Sequence, residues 1–321
     1  MLIENPETFQ GAPLKPKGED APVYYLFHVP KCAGRTIDRH LSLYAQEGRY
    51  FRAKKRRGIG RLFSPRHTLA GMPDPRQLNA VGSHYLGASM ERICEGREIR
   101  RALLLRDPVS HMVSYYNFRM QRYIAQGMQP YSFELAYRAT QRDFITHYIL
   151  RNFLEIPLPR LWLMTRPQKW TLVNEFLSRF WFVGDYRKCS ELISAMAPDL
   201  GVPARAVPQN TCTGHSNHPT WRPLSVADLS PELIRRIREE NSLDQRLWQT
   251  WRGAGLDVQS VNETALMAPA KLQFSVQEAA RLVYQVRRRV ARRWNMPEQP
   301  VPAPEPAPVQ AQPVSRAVQA G

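Results

Sequence analysis

The amino-acid sequence predicts an α/β fold: a single P-loop-like domain with a central, mostly parallel sheet flanked by helices. Three observations predict it. Short apolar runs rich in β-branched and aromatic residues alternate with longer stretches of helical period, the pattern of strand–helix–strand units. The first such run leads into a glycine-containing loop that opens a helix, His28 to Thr36. Finally, 43% of the 321 residues are apolar, which suffices for one substantial core, and no run approaches the roughly 18 apolar residues of a membrane span.

Residues 1–22 are polar and contain proline, lack the apolar stretch of a secretory leader, and read as a loose lead-in. Val23 to Phe27 is an apolar run bounded by Pro22 and Pro30, hence a buried strand. Thr36 to Tyr50 spaces Ile37, Leu41 and Tyr44 for a helix. Arg52, Lys54, Lys55, Arg56, Arg57, Arg61 and Arg66 follow in a Gly- and Pro-punctuated stretch that reads as an exposed basic loop. Ala80-Val81 and Ala102 to Leu105 read as further strands, the second followed by a helix from about Pro108. Phe133 to Leu154 is helical by pattern, and Phe180 to Val183 is a fourth strand. Between Gly201 and Pro223 lies a loop rich in Pro, Asn, Thr and His.

Ser230 as N-cap and Pro231 at the first helical position start a helix with Leu233, Ile234, Ile237, Leu247 and Trp248 on one face. Ser275 and Glu278 form a capping box before a last helix, and from Met296 the chain is Pro-, Ala-, Gln- and Val-rich with no period. The organisation expected is a lead-in over 1–22, the main domain over 23–265, a basic amphipathic helix over 266–295 and a disordered tail over 296–321.

The chain carries 45 Lys and Arg against 28 Asp and Glu, a net charge of +17, which predicts an anionic partner. Cys32, Cys94, Cys189 and Cys212 lie far apart with no C-x-x-C pair. That argues against a zinc site or a disulfide framework and fits reduced thiols in a cytosol. His215 and His218 have no carboxylate near them, so no metal site is expected there.

The chemistry concentrates in His28-Val29-Pro30-Lys31-Cys32-Ala33-Gly34-Arg35-Thr36, between the first strand and its helix. A helix N-terminus has free backbone amides and partial positive charge, so it binds phosphate. Gly34 is expected to let the backbone approach an anion, Thr36 to offer a hydroxyl, and Lys31 and Arg35 to add charge. The Walker pattern G-x-x-x-x-G-K-[ST] fails twice, with Val29 at its first glycine and Arg35 at its lysine. Arg106 follows the run Ala102 to Leu105 before Asp107, so no Walker B strand is present either. A Mg-dependent nucleotide hydrolase or kinase is therefore disfavoured.

This segment resembles the H-[IV]-P-K-[TC]-[AG]-G-[TS]-[TS] loop of the sulfotransferases that use 3′-phosphoadenosine-5′-phosphosulfate (PAPS), in the branch of the heparan sulfate 2-O- and 6-O-sulfotransferases and their bacterial relatives. The resemblance implies that Lys31, Cys32, Ala33, Gly34, Arg35 and Thr36 hold the 5′-phosphosulfate, with Lys31 on the bridging oxygen of the leaving group. Leu105-Arg106-Asp107-Pro108 through Ser114-Tyr115 is similar to the family's second signature, L-R-D-P-x-x-R-x-x-S-x-Y. On that likeness Arg106 and Ser114 are the 3′-phosphate ligands. Val81-Gly82-Ser83-His84-Tyr85 stands where the family has G-H-[FY], which implies His84 as catalytic base. A polar histidine closing a strand is the plainer reading of the same residue. Phe182 to Tyr186, and the segment holding Asn241 and Asp244, resemble later family segments, so the likeness spans roughly 23–250. The sequence departs from the family at Cys32 and Arg35, where hydroxyl residues are commoner, and at His111, which replaces an arginine. Asn210 and the loop after it stand where family members close over the nucleotide.

The activity expected is sulfuryl transfer from PAPS, as co-substrate and without metal, to a hydroxyl of a saccharide or glycolipid. The alternative is a basic nucleic-acid-binding protein, although no recognised binding motif appears. The helix at 275–294 carries Arg287, Arg288, Arg289, Arg292 and Arg293 beside an apolar seam, and reads as packed on the domain, as lying on an acidic membrane or as docking on a partner. The membrane anchor of the Golgi members is not read here, so a cytoplasmic bacterial enzyme, peripherally membrane-associated, is the expected setting.

Overall fold

A computed structural model describes residues 21–45, 48–55, 67–68, 71–94, 96–205 and 221–259. The expected last helix and tail, most of the basic stretch, Asn210, Cys212, His215 and His218 lie outside these residues.

Val23–Phe27 forms β1, and all five side chains are buried. A run without alternation is what a parallel strand covered on both faces requires. Strands β2 (Tyr50–Arg52), β5 (Ala80–Ser83), β6 (Ile99–Leu105) and β7 (Phe182–Asp185) join it. All pair in parallel, in the order β2-β5-β1-β6-β7. The basic stretch opens not as loop but as β2, followed by β3 (Lys54–Lys55), which pairs antiparallel with β4 (His67–Thr68).

The helices are α1 (Gly34–Tyr44), α2 (Pro108–Ile124), α3 (Phe133–Ala139), α4 (Phe144–Tyr148), α5 (Leu158–Leu163), α6 (Arg166–Leu177), α7 (Cys189–Leu200), α8 (Pro231–Glu240) and α9 (Ser242–Trp251). The main core surrounds the sheet, with Tyr25, Phe27, Leu103, Phe153, Phe182 and Trp251 among its largest members. A second apolar cluster joins α2, α3 and α8 through Val109, Tyr116, Phe133, Tyr137 and Ile237.

Four expectations change. Helix α1 stops at Tyr44, because the chain turns through Gly48 at a φ of 78° to give Tyr50 to the edge strand. The helix expected over Phe133 to Leu154 stops at Ala139, where Thr140 turns extended at a ψ of 138°, and the gap closes at Asp143, which sits at a φ of 48° with its amide donating to the Asn241 side chain. It resumes as α4, and a π-type turn over Ile149–Phe153 follows. The helix expected from Ser230 through Trp248 breaks at Asn241, at φ −114° and ψ 45°. Strand β7 starts two residues late, because the Phe180 amide still closes the last turn of α6 on the Leu177 carbonyl. Helices α5, α6 and α7 were not expected, although α6 has a full capping box, Thr165 with Gln168.

The chain order places β1 at the switch point of the sheet: β2 and β5 lie on one side of it, β6 and β7 on the other. Ligands of open α/β sheets bind outside the carboxyl ends of the strands at such a point. One residue past four of these strand ends stand His28, His84, Arg106 and Tyr186.

Candidate active site

The loop from β1 to α1 has an unusual backbone. Lys31 and Ala33 both lie in the left-handed region, at φ of 69° and 59°. Such conformations cost a non-glycine residue about 1–3 kcal/mol each and persist only where the surroundings enforce them. Alternating residues of this kind turn successive amides toward one side, forming a nest for an anion. Ala33 is the N-cap of α1, and no side chain caps that helix start. The Cys32 amide goes to the Val29 carbonyl at 3.2 Å and the Thr36 amide to the Ala33 carbonyl at 2.8 Å. Among the described residues, no protein acceptor takes the amides of Gly34 and Arg35.

The surroundings that enforce this shape are three side chains from three other elements. His84, after β5, donates through Nδ1 to the His28 carbonyl at 2.9 Å. His111, in α2, donates through Nε2 to the Pro30 carbonyl at 2.9 Å. Arg106, after β6, donates through Nη1 to the Lys31 carbonyl at 3.0 Å. The carbonyls of His28, Pro30 and Lys31 are thus held from outside, and the Gly34 and Arg35 amides are left to face whatever the loop binds.

Arg106 also donates through Nε to Ser110 Oγ at 3.1 Å, and its guanidinium lies 4.1 Å from the centre of the Tyr186 ring. The Lys31 ammonium lies 4.6 Å from the centre of the Phe118 ring. Ser110, Ser114 and Phe118 are spaced four apart and share one face of α2. Half-buried Ser114 therefore stands one turn from the contact of Arg106 and one turn from that of Lys31. Asp107 caps α2, accepting the Ser110 amide at 2.9 Å.

Arg35 is exposed at the first turn of α1, whereas Thr36 and Gly34 are buried. The Cys32 side chain belongs to the core, and burial pushes its thiol up to about 12. A neutral thiol facing the core makes no side-chain contact with an anion, so Cys32 serves the loop through its backbone.

On the β5 side, the His84 ring stacks on His28 with centroids 3.7 Å apart. Because Nδ1 faces a carbonyl, it carries the proton and leaves Nε2 as an acceptor. Burial, above all, holds the His84 pKa below the usual histidine value, so the ring is neutral at pH 7. His28, His84, Asp38, Tyr50 and Arg52 line a small cavity beside the loop. Arg52 pairs with Asp38 at 3.1 Å, and Asp38 also accepts the Tyr50 hydroxyl at 2.8 Å.

The structure thus brings Lys31, Arg35, Arg106 and Ser114 to one loop and one helix face, with His84 on the loop's other flank. His111 forms no ion pair in place of the missing arginine; burial lowers it to about 4, and it anchors the loop as a neutral donor. Sequence reading missed Ser110, Phe118 and Tyr186. The first two were legible as the positions one turn either side of Ser114. Among the described residues, no group of three His, Cys, Asp or Glu is placed to hold a metal, and no helix is long and apolar enough to cross a membrane.

Compared with models of known protein families, the chain matches the sulfotransferase family over residues 20–249. No curated protein sequence matches it. The match runs from just before β1 to the last turn of α9, well over half of the chain. The chain belongs to the sulfotransferase family, and the reaction class is sulfuryl transfer.

Proposed function

We propose that the donor is PAPS and that the acceptor is a hydroxyl of a saccharide or glycolipid, as in the branch its loop resembles. The observation that carries this reading is that an amide-lined loop at the end of β1 lies beside a neutral histidine at the end of the neighbouring β5, whose Nε2 is left as an acceptor. The loop amides and Lys31 hold the 5′-phosphosulfate; Arg106 and Ser114 hold the 3′-phosphate. His84 takes the acceptor proton at Nε2 as the acceptor oxygen bonds to sulfur. The bond from sulfur to the bridging phosphate oxygen breaks, and the electron pair leaves on adenosine 3′,5′-bisphosphate, where Lys31 stabilises the charge.

Catalysis of this kind is mostly positioning and charge stabilisation, as in phosphoryl transfer. A sulfuryl group carries less charge than a γ-phosphate, so the fixed cations Lys31 and Arg35 serve where a metal otherwise would. The nucleic-acid-binding reading gains no support from the fold or the family.

The test is transfer of labelled sulfuryl from PAPS to a panel of saccharides and glycolipids, without metal. Transfer to a sugar hydroxyl that His84→Ala abolishes while adenosine 3′,5′-bisphosphate still binds supports the reading. Absence of binding to the wild-type chain contradicts it.

A further inference from the structure

From sequence, Gly34 reads as the residue that lets the backbone approach an anion. The structure gives it a different neighbour. A Cβ at position 34 would lie 1.8 Å from Cδ2 and 2.0 Å from Cγ of His28. No side chain fits there while His28 is an imidazole, whatever the loop binds. The same ring stacks on His84 at 3.7 Å, with 28° between the planes. The backbone of His28 takes part as well, since its carbonyl accepts the His84 Nδ1 proton. One residue therefore contacts both the first residue of α1 and the proton acceptor.

We propose that His28 is a positioning residue: its ring fixes the plane of the His84 imidazole and, by packing on the Gly34 Cα, creates the need for glycine at the start of α1. The kinetic part of this inference rests on the sulfuryl-transfer reading with His84 as base; the glycine part does not. Besides the Nδ1 bond to the His28 carbonyl, which holds one edge of the ring, the arrangement has few other ways to hold His84. Tyr148 donates to its carbonyl at 2.5 Å, which fixes the backbone and not the ring. The Tyr85 ring meets it edge-on at 6.1 Å. The charged groups facing the pair are Arg52 from β2, Asp38 and Arg35 from α1, and Lys31 from the loop. Three of these four are cations, so they act with burial to keep both rings neutral.

The experiment uses the full chain as Gly34→Ala, His28→Ala, His28→Ala with Gly34→Ala, and His28→Phe. Thermal unfolding of the first three against wild type forms a double-mutant cycle, which isolates the coupling between two residues in contact. The double variant is expected to unfold at a higher temperature than Gly34→Ala alone, because the clash has gone. Additive losses would overturn the glycine half of the inference.

The His84 ring is followed by nitrogen-detected NMR across pH. In His28→Ala its titration is expected to move up toward the ordinary histidine value, because the ring that buries it is gone, while the Nδ1–H tautomer stays with the backbone carbonyl of residue 28, which the substitution keeps. His28→Phe, which keeps a ring, is expected to preserve the wild-type titration. A His84 signal that titrates in His28→Ala as in wild type would overturn the positioning half. In kinetics, His28→Ala is expected to lower kcat about tenfold or more while the affinity for adenosine 3′,5′-bisphosphate stays within about threefold. Equal loss of both would mark a merely structural role. If wild type transfers no sulfuryl group, the functional reading fails, and the unfolding cycle and the titration still decide this inference.

Discussion

Two turns of this protein are locked by side chains, and they are locked in opposite senses. At the β1–α1 loop, His84, His111 and Arg106 bind the carbonyls of His28, Pro30 and Lys31. At the junction of α4 and α9, carboxylates bind the amides instead. Asp244 accepts the Ile145 and Thr146 amides at 2.9 and 2.8 Å, and Asp143 accepts the Leu243 amide at 2.9 Å. Asn241 accepts the Asp143 amide at 2.9 Å and donates back to the Ile237 carbonyl at 2.7 Å. Both places are helix N-termini, and every helix N-terminus attracts anions. In α4 and α9 the acceptor is a carboxyl group of the chain itself, so those amides are already taken. In α1 the side chains take three loop carbonyls and leave the Gly34 and Arg35 amides without a protein acceptor among the described residues. Which turn is a site is decided by what the neighbouring side chains take.

The largest effect expected from this contrast is on stability at the closed turn. Asp143 is 2% exposed and pairs with Arg166 at 2.7 Å. Breaking a buried pair of this kind costs about 3–5 kcal/mol. Asp143→Ala is therefore expected to lower the unfolding midpoint steeply in a urea melt, and a loss under about 1 kcal/mol would break the comparison, since surface-type sites lose no more. At the open turn the loss falls on activity. His84→Ala is expected to lower kcat by about 10²–10⁴-fold, the contribution of a positioned base, with a stability loss of about 1 kcal/mol for the bond to the His28 carbonyl, smaller than that of Asp143→Ala. An unchanged kcat would remove His84 from the reaction. The acid limb of kcat/KM in wild type is expected below the ordinary histidine value of 6.5, because burial holds the His84 pKa down. A limb at or above that value would contradict a buried neutral base.

The smallest effect concerns Asp244, fully buried beside Asp143, whose pKa is raised from 3.8 to about 7 by burial and by that neighbour. A raised pKa means that the native state binds more protons than the unfolded chain between these values, so stability falls as pH rises through the window. The contribution is fully present below the unfolded value near 4 and is lost by about pH 7 to 8. Asp244→Asn, though less stable throughout, is expected to flatten that slope in melts taken from pH 4 to 8. An unchanged slope would place the titration elsewhere.

Much of the donor side was legible in the sequence because its signals are local. Val23 to Phe27, the loop through Thr36, and the Arg106-Asp107-Pro108 junction each announce a strand end and a helix start within a few residues. The breaks at Asp143 and Asn241 were not legible, because their cause is a hydrogen bond between residues 98 apart in the chain. The edge strand β2 is only three residues long and gave no periodicity to read. His111 was legible as a departure from the family pattern, but its role as a loop anchor was not, since that needs the Pro30 carbonyl brought to it across 81 residues. Gly34 shows the subtler limit: its presence was readable, while the neighbour that demands it was not.

The claim that joins these observations is that the loop binds an anion through the Gly34 and Arg35 amides, in a shape that side chains on the His28, Pro30 and Lys31 carbonyls enforce. Calorimetry with adenosine 3′,5′-bisphosphate, without metal, on wild type, Arg106→Ala and His111→Phe tests it most directly. His111→Phe keeps an aromatic ring against Phe144 and Tyr115 but drops the bond to Pro30. The account predicts micromolar binding to wild type, none to Arg106→Ala, and about a tenfold loss in His111→Phe, the worth of one hydrogen bond. Wild-type affinity in His111→Phe, or no binding to wild type, would contradict it.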